Sequence, residues 1–141
     1  AVLRNPEFDE PVDAMLYMVI AALGFAALEN ILFLLPIFPV SFLAGVHTTA
    51  SRFLGATFLH ALGSALVGYF LALSYFKHPR HRGVIIGVGI ILATFLHFLF
   101  NSLILVGMNV LVVILLGGAA VTTFLLFQKL KESRGVPPID G

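Results

Sequence analysis

The sequence predicts an all-α fold, a polytopic transmembrane helical bundle with about four membrane-spanning helices in this chain. Of its 141 residues, 60% are hydrophobic and only 11% are charged, and the mean hydropathy is +1.06. A soluble domain of this size has too small a core to bury so many apolar side chains. Four apolar windows are also long enough to cross a bilayer, which takes roughly 20 helical residues. We place these spans at residues 13–35, 53–76, 84–106 and 108–128.

The basic residues predict how the spans are oriented. Four spans place segment 36–52 on one side of the membrane and the other polar segments on the opposite side. Seven of the eight Lys and Arg residues lie on that opposite side, and only Arg52 lies with segment 36–52. Because cytoplasmic loops carry an excess of Lys and Arg, we expect both ends of this chain to be cytoplasmic. Residues 1–12 are then a polar N-terminal segment and residues 129–141 a cytoplasmic tail.

Segment 36–52 is unusually apolar for a connection between spans. Pro36 and Pro39 are expected to end the first helix, since proline disfavours helix at and before its own position. The residues that follow are interpreted as an outer loop, either re-entrant or lying at the interface. Gly45 is a possible hinge, so this loop is our candidate for a gate over a site below it.

The composition also excludes several classes of function. The chain has no cysteine, which excludes disulfides, thiolate catalysis and cysteine-based metal sites. Its net charge is only +1 and its basic residues lie at helix ends, so no nucleic-acid partner is expected. The expected environment is the lipid bilayer of a bacterial or archaeal cell, and the sequence does not predict an oligomeric state.

Three ionisable residues lie inside the predicted spans, away from their ends: Glu29, His60 and His97. They lie seven to nine residues from the outer ends of the first, second and third spans, respectively. At about 1.5 Å per residue, all three are roughly 10–14 Å below the outer surface. Three helices therefore each bring one ionisable group to the same depth, which predicts one shared site in the outer half of the bilayer.

The helix faces support convergence, because each of the three residues shares its face with small side chains. Residues three or four apart stack on one side of a helix, and small side chains allow membrane helices to approach closely. The small residues on these faces are Ala22 and Ala26 beside Glu29, Ala56, Ser64 and Gly68 beside His60, and Gly89 and Ala93 beside His97.

An ionisable group near hydrocarbon costs about 2.5–3.5 kcal/mol, so it is a candidate functional residue by default. The alternative interpretation is that Glu29 only bonds a histidine to hold the bundle together. Asn101 joins the candidate catalytic residues because its i+4 spacing places it directly above His97. Asn30 is a candidate substrate-binding residue, with a purely structural role equally open. His47, in segment 36–52, is a weaker candidate.

The residue types allow two hydrolytic mechanisms. Glu29, His60 and His97 form a possible metal set for Zn²⁺, with a fourth position left for water. Alternatively, Glu29 acts as a general base on water while a histidine and the Asn101 amide stabilise the oxyanion. A proton- or cation-coupled transporter that uses the same Glu and His groups also stays open.

Three short motifs carry a resemblance to a known family. They are Gly24-Phe25 with Glu29-Asn30, His60 with Gly68, and His97 with Asn101, in the stretches "GFAALEN", "HALGSALVG" and "HFLFN". In order and spacing they resemble the PrsW family of membrane proteases, relatives of the CAAX-processing and bacteriocin-immunity proteases. The resemblance covers about residues 6–106.

One motif of that family is absent from this sequence. The family carries an upstream E-E-x-x-K motif whose glutamates are implied to be catalytic or metal-binding, and "PEFDEP" does not match it. We therefore expect residues 1–141 to be a single transmembrane domain that forms the C-terminal part of a longer one, and to be inactive alone.

The resemblance implies hydrolysis of a peptide bond in or beside the membrane. The implied partner is a membrane-anchored polypeptide, typically an anti-sigma factor cut at a first site on its outer side. Zinc is a possible cofactor, because the family has been classed with metallopeptidases, whereas its relatives support a glutamate-activated water without metal. A non-catalytic scaffold or degenerate homologue is the further alternative that the missing motif leaves open.

Overall fold

The computed structural model describes residues 11–132, which form a bundle of five α-helices without a β-strand. The helices are α1 (Pro11–Leu34), α2 (Phe42–Arg52), α3 (Phe58–Tyr75), α4 (Pro79–Leu105) and α5 (Asn109–Glu132). One π-helical turn, Phe53–Thr57, joins α2 to α3, so the two form a continuous helix of 34 residues. This helix and α1, α4 and α5 are each long and apolar enough to cross a membrane, which confirms the predicted fold class.

The predicted ends of the chain fall mostly outside the described residues. The structure places residues 11 and 12 in α1 and residues 129–132 in the last turns of α5. Nothing further is described for the polar N-terminal segment and the tail.

The prediction of a loop over residues 36–52 was wrong for most of that segment. Only residues 35–41 form turns, and helix α2 begins at Phe42. Ser41 caps it, since the side-chain oxygen accepts a hydrogen bond from Ala44 N at 3.3 Å. Thr49 Oγ1 donates back to Gly45 O at 2.8 Å, so this hydroxyl is satisfied within the helix. Gly45 is therefore an interior helical residue rather than a loop hinge.

The helix ends follow from local sequence signals. Pro11 opens α1, with Asp13 in the first turn near the positive end of the helix dipole. Pro79 opens α4 in the same way. Between α4 and α5, Gly107 has a φ of 73°, in the left-handed region that favours glycine. Its N–H donates to Ile104 O at 3.0 Å, and Met108 N–H donates to Leu103 O at 2.9 Å, which closes the helix end as a Schellman turn.

Helix α3 lies at the centre of the bundle. A third of the apolar window of the α2–α3 helix is buried inside the protein (33%), against 11% for each of the other three spans. Its residues join two separate hydrophobic cores. One core contains Ala14, Met15, Ala65, Tyr69, Ala72 and Leu130, and the other contains Leu59, Leu62, Phe100, Val112 and Leu116. Residues on α3 are thus held by packing on several sides.

Glycines set the closest helix contacts of α3. A Cβ added at Gly68 would lie 2.6 Å from Met15 Cα, so only glycine allows the backbones of α1 and α3 to approach this closely. A Cβ added at Gly89 on α4 would lie 2.7 Å from Phe70 Cβ. These contacts fix α1 and α4 against opposite sides of the helix that carries His60.

Candidate active site

The centre of the candidate site is a contact between α1 and α3. His60 Nε2 lies 3.0 Å from Glu29 Oε2, at hydrogen-bond distance. The His60 side chain is 15% exposed and that of Glu29 is 40% exposed, so the carboxylate is the more accessible partner. The ring of Phe25, one turn before Glu29, packs edge-on against the imidazole with centroids 5.4 Å apart. The sequence prediction that Glu29 and His60 face each other agrees with this geometry.

Arg52 binds the same carboxylate, and the sequence analysis did not assign it to the site. Its guanidinium donates to Glu29 Oε2 at 3.0 Å and, through Nε, to Asn30 Oδ1 at 2.7 Å. The guanidinium also lies 4.1 Å from the centroid of the Phe33 ring, a cation–π contact. The sequence did contain a signal: Arg52 is the single cation on its predicted side of the membrane, and a carboxylate inside a membrane span needs a partner.

Asn30 links Arg52 to the π-helical turn. While its Oδ1 accepts from Arg52, its Nδ2 donates to Thr57 Oγ1 at 2.9 Å. Both ends of the amide are therefore engaged within the protein. The π-helical turn places Arg52 and Thr57 so that both reach α1, and such turns are frequent at functional sites. This geometry favours the structural role of Asn30 over the substrate-binding role, which stays a prediction.

His97 joins the cluster from α4. Its ring centroid lies 5.2 Å from that of His60, with the two planes inclined by 41°. Both imidazoles line an open pocket of about 290 Å³ between α3 and α4. The other lining residues are Leu59, Gly63, Ser64, Val67, Ile90, Ala93 and Thr94. Three helices thus bring Glu29, His60 and His97 to one place, beside a cavity.

Two further candidates lie apart from this cluster. Asn101 is exposed on α4 one turn beyond His97, and its side chain has no hydrogen-bond partner among residues 11–132. The face of α4 toward α3 is occupied there by Phe100, which is 2% exposed. His47 is exposed on α2, and no hydrogen bond or ring contact joins it to the site within the described part of the chain. Their participation stays a prediction.

The predicted zinc set is only partly assembled in this geometry. Within residues 11–132, no three His, Asp or Glu side chains lie close enough together to hold a metal ion. Glu29 and His60 are in contact, but the Arg52 guanidinium lies on the same carboxylate oxygen and places a positive charge where a cation would bind. These residues by themselves do not fit a zinc ion, and the metal set Glu29, His60 and His97 stays a prediction.

The arrangement defines a class of protein: an integral membrane protein with a carboxylate–imidazole pair between its helices and a pocket beside it. In residues 11–132, Glu29 Oε1 accepts no hydrogen bond, so one carboxylate oxygen is available to a water molecule. A carboxylate oxygen within reach of a water molecule is the geometry that a general base requires.

The chain belongs to the PrsW family. The sequence pattern of this family, described as PrsW family intramembrane metalloprotease, matches residues 1–129, and the resemblance noted from the three motifs is confirmed. No solved structure matches the chain.

Several curated bacterial relatives carry the name Protease PrsW. The chain is 36% identical to one from Geobacillus kaustophilus over 104 residues, which is 74% of this chain and 43% of the relative. It is 30% identical to one from Bacillus subtilis over 97 residues, 69% of this chain and 41% of the relative. It is 26% identical to one from Halalkalibacterium halodurans over 128 residues, 91% of this chain and 56% of the relative. The chain therefore spans about half the length of these relatives.

Proposed function

We propose that this chain carries part of the active site of a membrane protease that hydrolyses peptide bonds of membrane-anchored polypeptides. One observation carries the proposal: Glu29 Oε2 and His60 Nε2 are 3.0 Å apart beside an open pocket, between helices that cross the membrane. Family membership supports the same reaction class. The orientation proposed from the basic residues puts this site in the outer half of the bilayer, where an anti-sigma-factor-type substrate would be cut at its first site.

The proposed reaction uses Glu29 as the general base. A water molecule bound to Oε1 gives a proton to the carboxylate as its oxygen attacks the carbonyl carbon of the scissile bond. The carbonyl oxygen becomes an oxyanion, to which His97 donates a hydrogen bond. Glu29 then gives its proton to the amide nitrogen as the C–N bond breaks, which releases an amine and a carboxylic acid.

His60 and Arg52 hold the base in position. Both donate to Oε2, so the carboxylate is fixed with Oε1 directed away from its two partners. Charge-assisted hydrogen bonds of this kind are shorter and roughly twice as strong as neutral ones. A preorganised base needs little rearrangement when it accepts the proton from water.

The test is Glu29→Gln in the natural full-length protein, purified and reconstituted in liposomes with a membrane-anchored reporter polypeptide. We expect the rate of cleavage to fall at least 100-fold in a protein that still folds, because the amide keeps the shape but cannot accept the proton. The matched control is Glu132→Gln at the exposed end of α5, which should cleave like the unmodified protein. Undiminished cleavage by Glu29→Gln would remove the general base from the proposal.

Metal content decides between the two hydrolytic mechanisms. If zinc takes part, the purified full-length protein should contain about one zinc per chain, and His60→Ala should lose it together with activity. If the purified protein contains no zinc and its cleavage activity persists in the presence of chelators, the result would support the metal-free mechanism instead.

A further inference from the structure

The pocket between α3 and α4 is bounded at both of its ends by close helix contacts. Near the π-helical turn, a Cβ added at Gly55 would lie 3.3 Å from the Phe100 ring. At the opposite end, Gly89 packs against Phe70. Between these contacts, a Cβ added at Gly63 would meet Ala93 only at 3.9 Å. The helices are thus held together on either side of a space that their own side chains leave unfilled.

The residues that line this space show which chemistry it accepts. The two imidazoles form one end, and Val67 and Ile90 lie seven residues further along their helices, about 10 Å away at 1.5 Å per residue. Leu59 adds a further apolar wall, and no lining residue is Asp, Glu, Lys or Arg. A charged side chain would find no Asp, Glu, Lys or Arg partner here, whereas an uncharged side chain needs none.

Two hydroxyl groups on the pocket wall are not used by the protein itself. Hydroxyls in membrane helices commonly bond to a carbonyl of their own helix, as Ser74 Oγ does to Leu71 O at 2.7 Å and Ser102 Oγ to Phe98 O at 2.9 Å. Ser64 and Thr94, in contrast, make no side-chain hydrogen bond among residues 11–132. They are available to a polar atom of a bound molecule.

We propose that this pocket binds the uncharged side chain of the substrate residue next to the scissile bond, and so determines which residue the site accepts there. This inference rests on the proposed proteolytic function, and the pocket continues directly from His60 and His97. Its volume of about 290 Å³ lies just below the range of about 300–1,000 Å³ for sites that bind whole ligands, which suits one side chain of leucine or phenylalanine size. The Ser64 and Thr94 hydroxyls are placed to bind the adjoining peptide group.

The test uses the full-length protein in liposomes and a series of fluorogenic transmembrane peptides. The peptides differ only at the two residues that flank the cleaved bond, with Gly, Leu, Phe, Asp or Lys at each. The unmodified protein should cleave Leu or Phe peptides at least 10-fold faster than Gly peptides at one of these positions, and Asp or Lys peptides at least 100-fold slower. Equal rates for charged and apolar residues at both positions would overturn the proposal.

Filling the pocket should then remove the preference. Ala93→Leu should lower the ratio of Leu to Gly cleavage at least 10-fold, whereas Gly87→Leu should leave it unchanged, since a Cβ at Gly87 has no neighbour within 4 Å. If Ala93→Leu does not fold, the milder Gly63→Ala should lower the ratio about 3-fold. An equal fall for every peptide would mean that lipid or solvent fills the space, and it would overturn the proposal.

The same experiment separates failure of this inference from failure of the proposed function. Absence of any cleavage that depends on Glu29 would remove the proteolytic function itself. Cleavage that depends on Glu29 but keeps its preference in both filled variants would remove only the role of the pocket.

Discussion

The two sides of α3 contrast in how they use small residues. Toward α1, Gly68 lets the helix backbones touch, and polar side chains from both helices complete the contact at the other end. Toward α4, a Cβ added at Gly63 would still lie 3.9 Å from Ala93 Cβ, and a pocket opens beside these two residues. Similar residue types therefore close one interface and open the other. A small-residue face therefore predicts helix proximity but does not by itself predict a tight fit.

The largest effect is expected from Gly68→Ala on the closed side. The new Cβ would lie 2.6 Å from Met15 Cα, and α1 must move because backbone cannot give way as a flexible side chain can. Overpacking of this kind costs about 1–3 kcal/mol, and we expect the upper end of this range. Unfolding of the full-length protein in mixed micelles would measure it. Gly87→Ala is the control, and equal stability of the two variants would contradict a closed α1–α3 interface.

A somewhat smaller loss is expected when Arg52 is removed. Breaking a fully buried ion pair costs about 3–5 kcal/mol, but Glu29 is 40% exposed and keeps His60, so we expect about 1–2 kcal/mol for Arg52→Ala. Arg52→Lys should recover only part of it, because one ammonium cannot reproduce the forked contacts to Glu29 and Asn30.

Thermal unfolding of both Arg52 variants, with cleavage rates alongside, would check this prediction. Arg82→Ala, which removes only an exposed hydrogen bond to Lys77 O, is the control. Identical unfolding of Arg52→Lys and the unmodified protein would show that the forked geometry is dispensable.

Thr57→Val tests the link through the π-helical turn. It removes the acceptor for Asn30 Nδ2 while keeping the shape of the side chain. The expected loss is about 0.5–1.5 kcal/mol, the usual net value of one hydrogen bond. Chemical unfolding would measure it against Thr122→Val on an exposed position of α5. No difference between the two would mean that the link contributes nothing to stability.

The smallest effect, with the opposite sign, is expected from Gly63→Ala on the open side. The new Cβ meets only Ala93 at 3.9 Å, an ordinary contact. Replacing an interior helical glycine with alanine is worth roughly 0.5–1 kcal/mol, so the variant should be slightly more stable. Measured in the same micelles, Gly63→Ala and Gly68→Ala should change the free energy of unfolding in opposite directions. A loss of stability here would mean that the α3–α4 side is closed as well.

The sequence was sufficient for the four spans and for the main contact of the site. Long apolar windows leave few alternatives to membrane helices, and one carboxylate and two histidines at matched positions on three helices indicated a common location. Helix α2 was missed because the stretch "GVHTTAS" is rich in Gly, Ser and β-branched residues, which have low intrinsic helix propensity. In the structure, hydroxyls there bond back to their own helix, as Thr49 does to Gly45 O.

The positions of the Arg52 and Asn101 side chains relative to the site could not be predicted from helical periodicity alone. Arg52 reaches Glu29 from the residue that directly precedes a π-helical turn. No pattern in the sequence predicted this change from α-helical to π-helical winding. Asn101 follows Phe100 by one residue, a rotation of about 100° around the helix axis. Since Phe100 packs into the core of α3 and α5, Asn101 is turned away from it.

The wider winding of residues 53–57 also sets the rotational phase between the two halves of the 34-residue helix. Deleting Gly55 and restoring regular α-helical winding would turn everything that precedes it by about 100° relative to His60. Arg52 would then swing out of reach of the carboxylate even though every side chain of the site was still present. The helical winding of these five residues therefore determines whether the Arg52 guanidinium can reach the Glu29 carboxylate on α1.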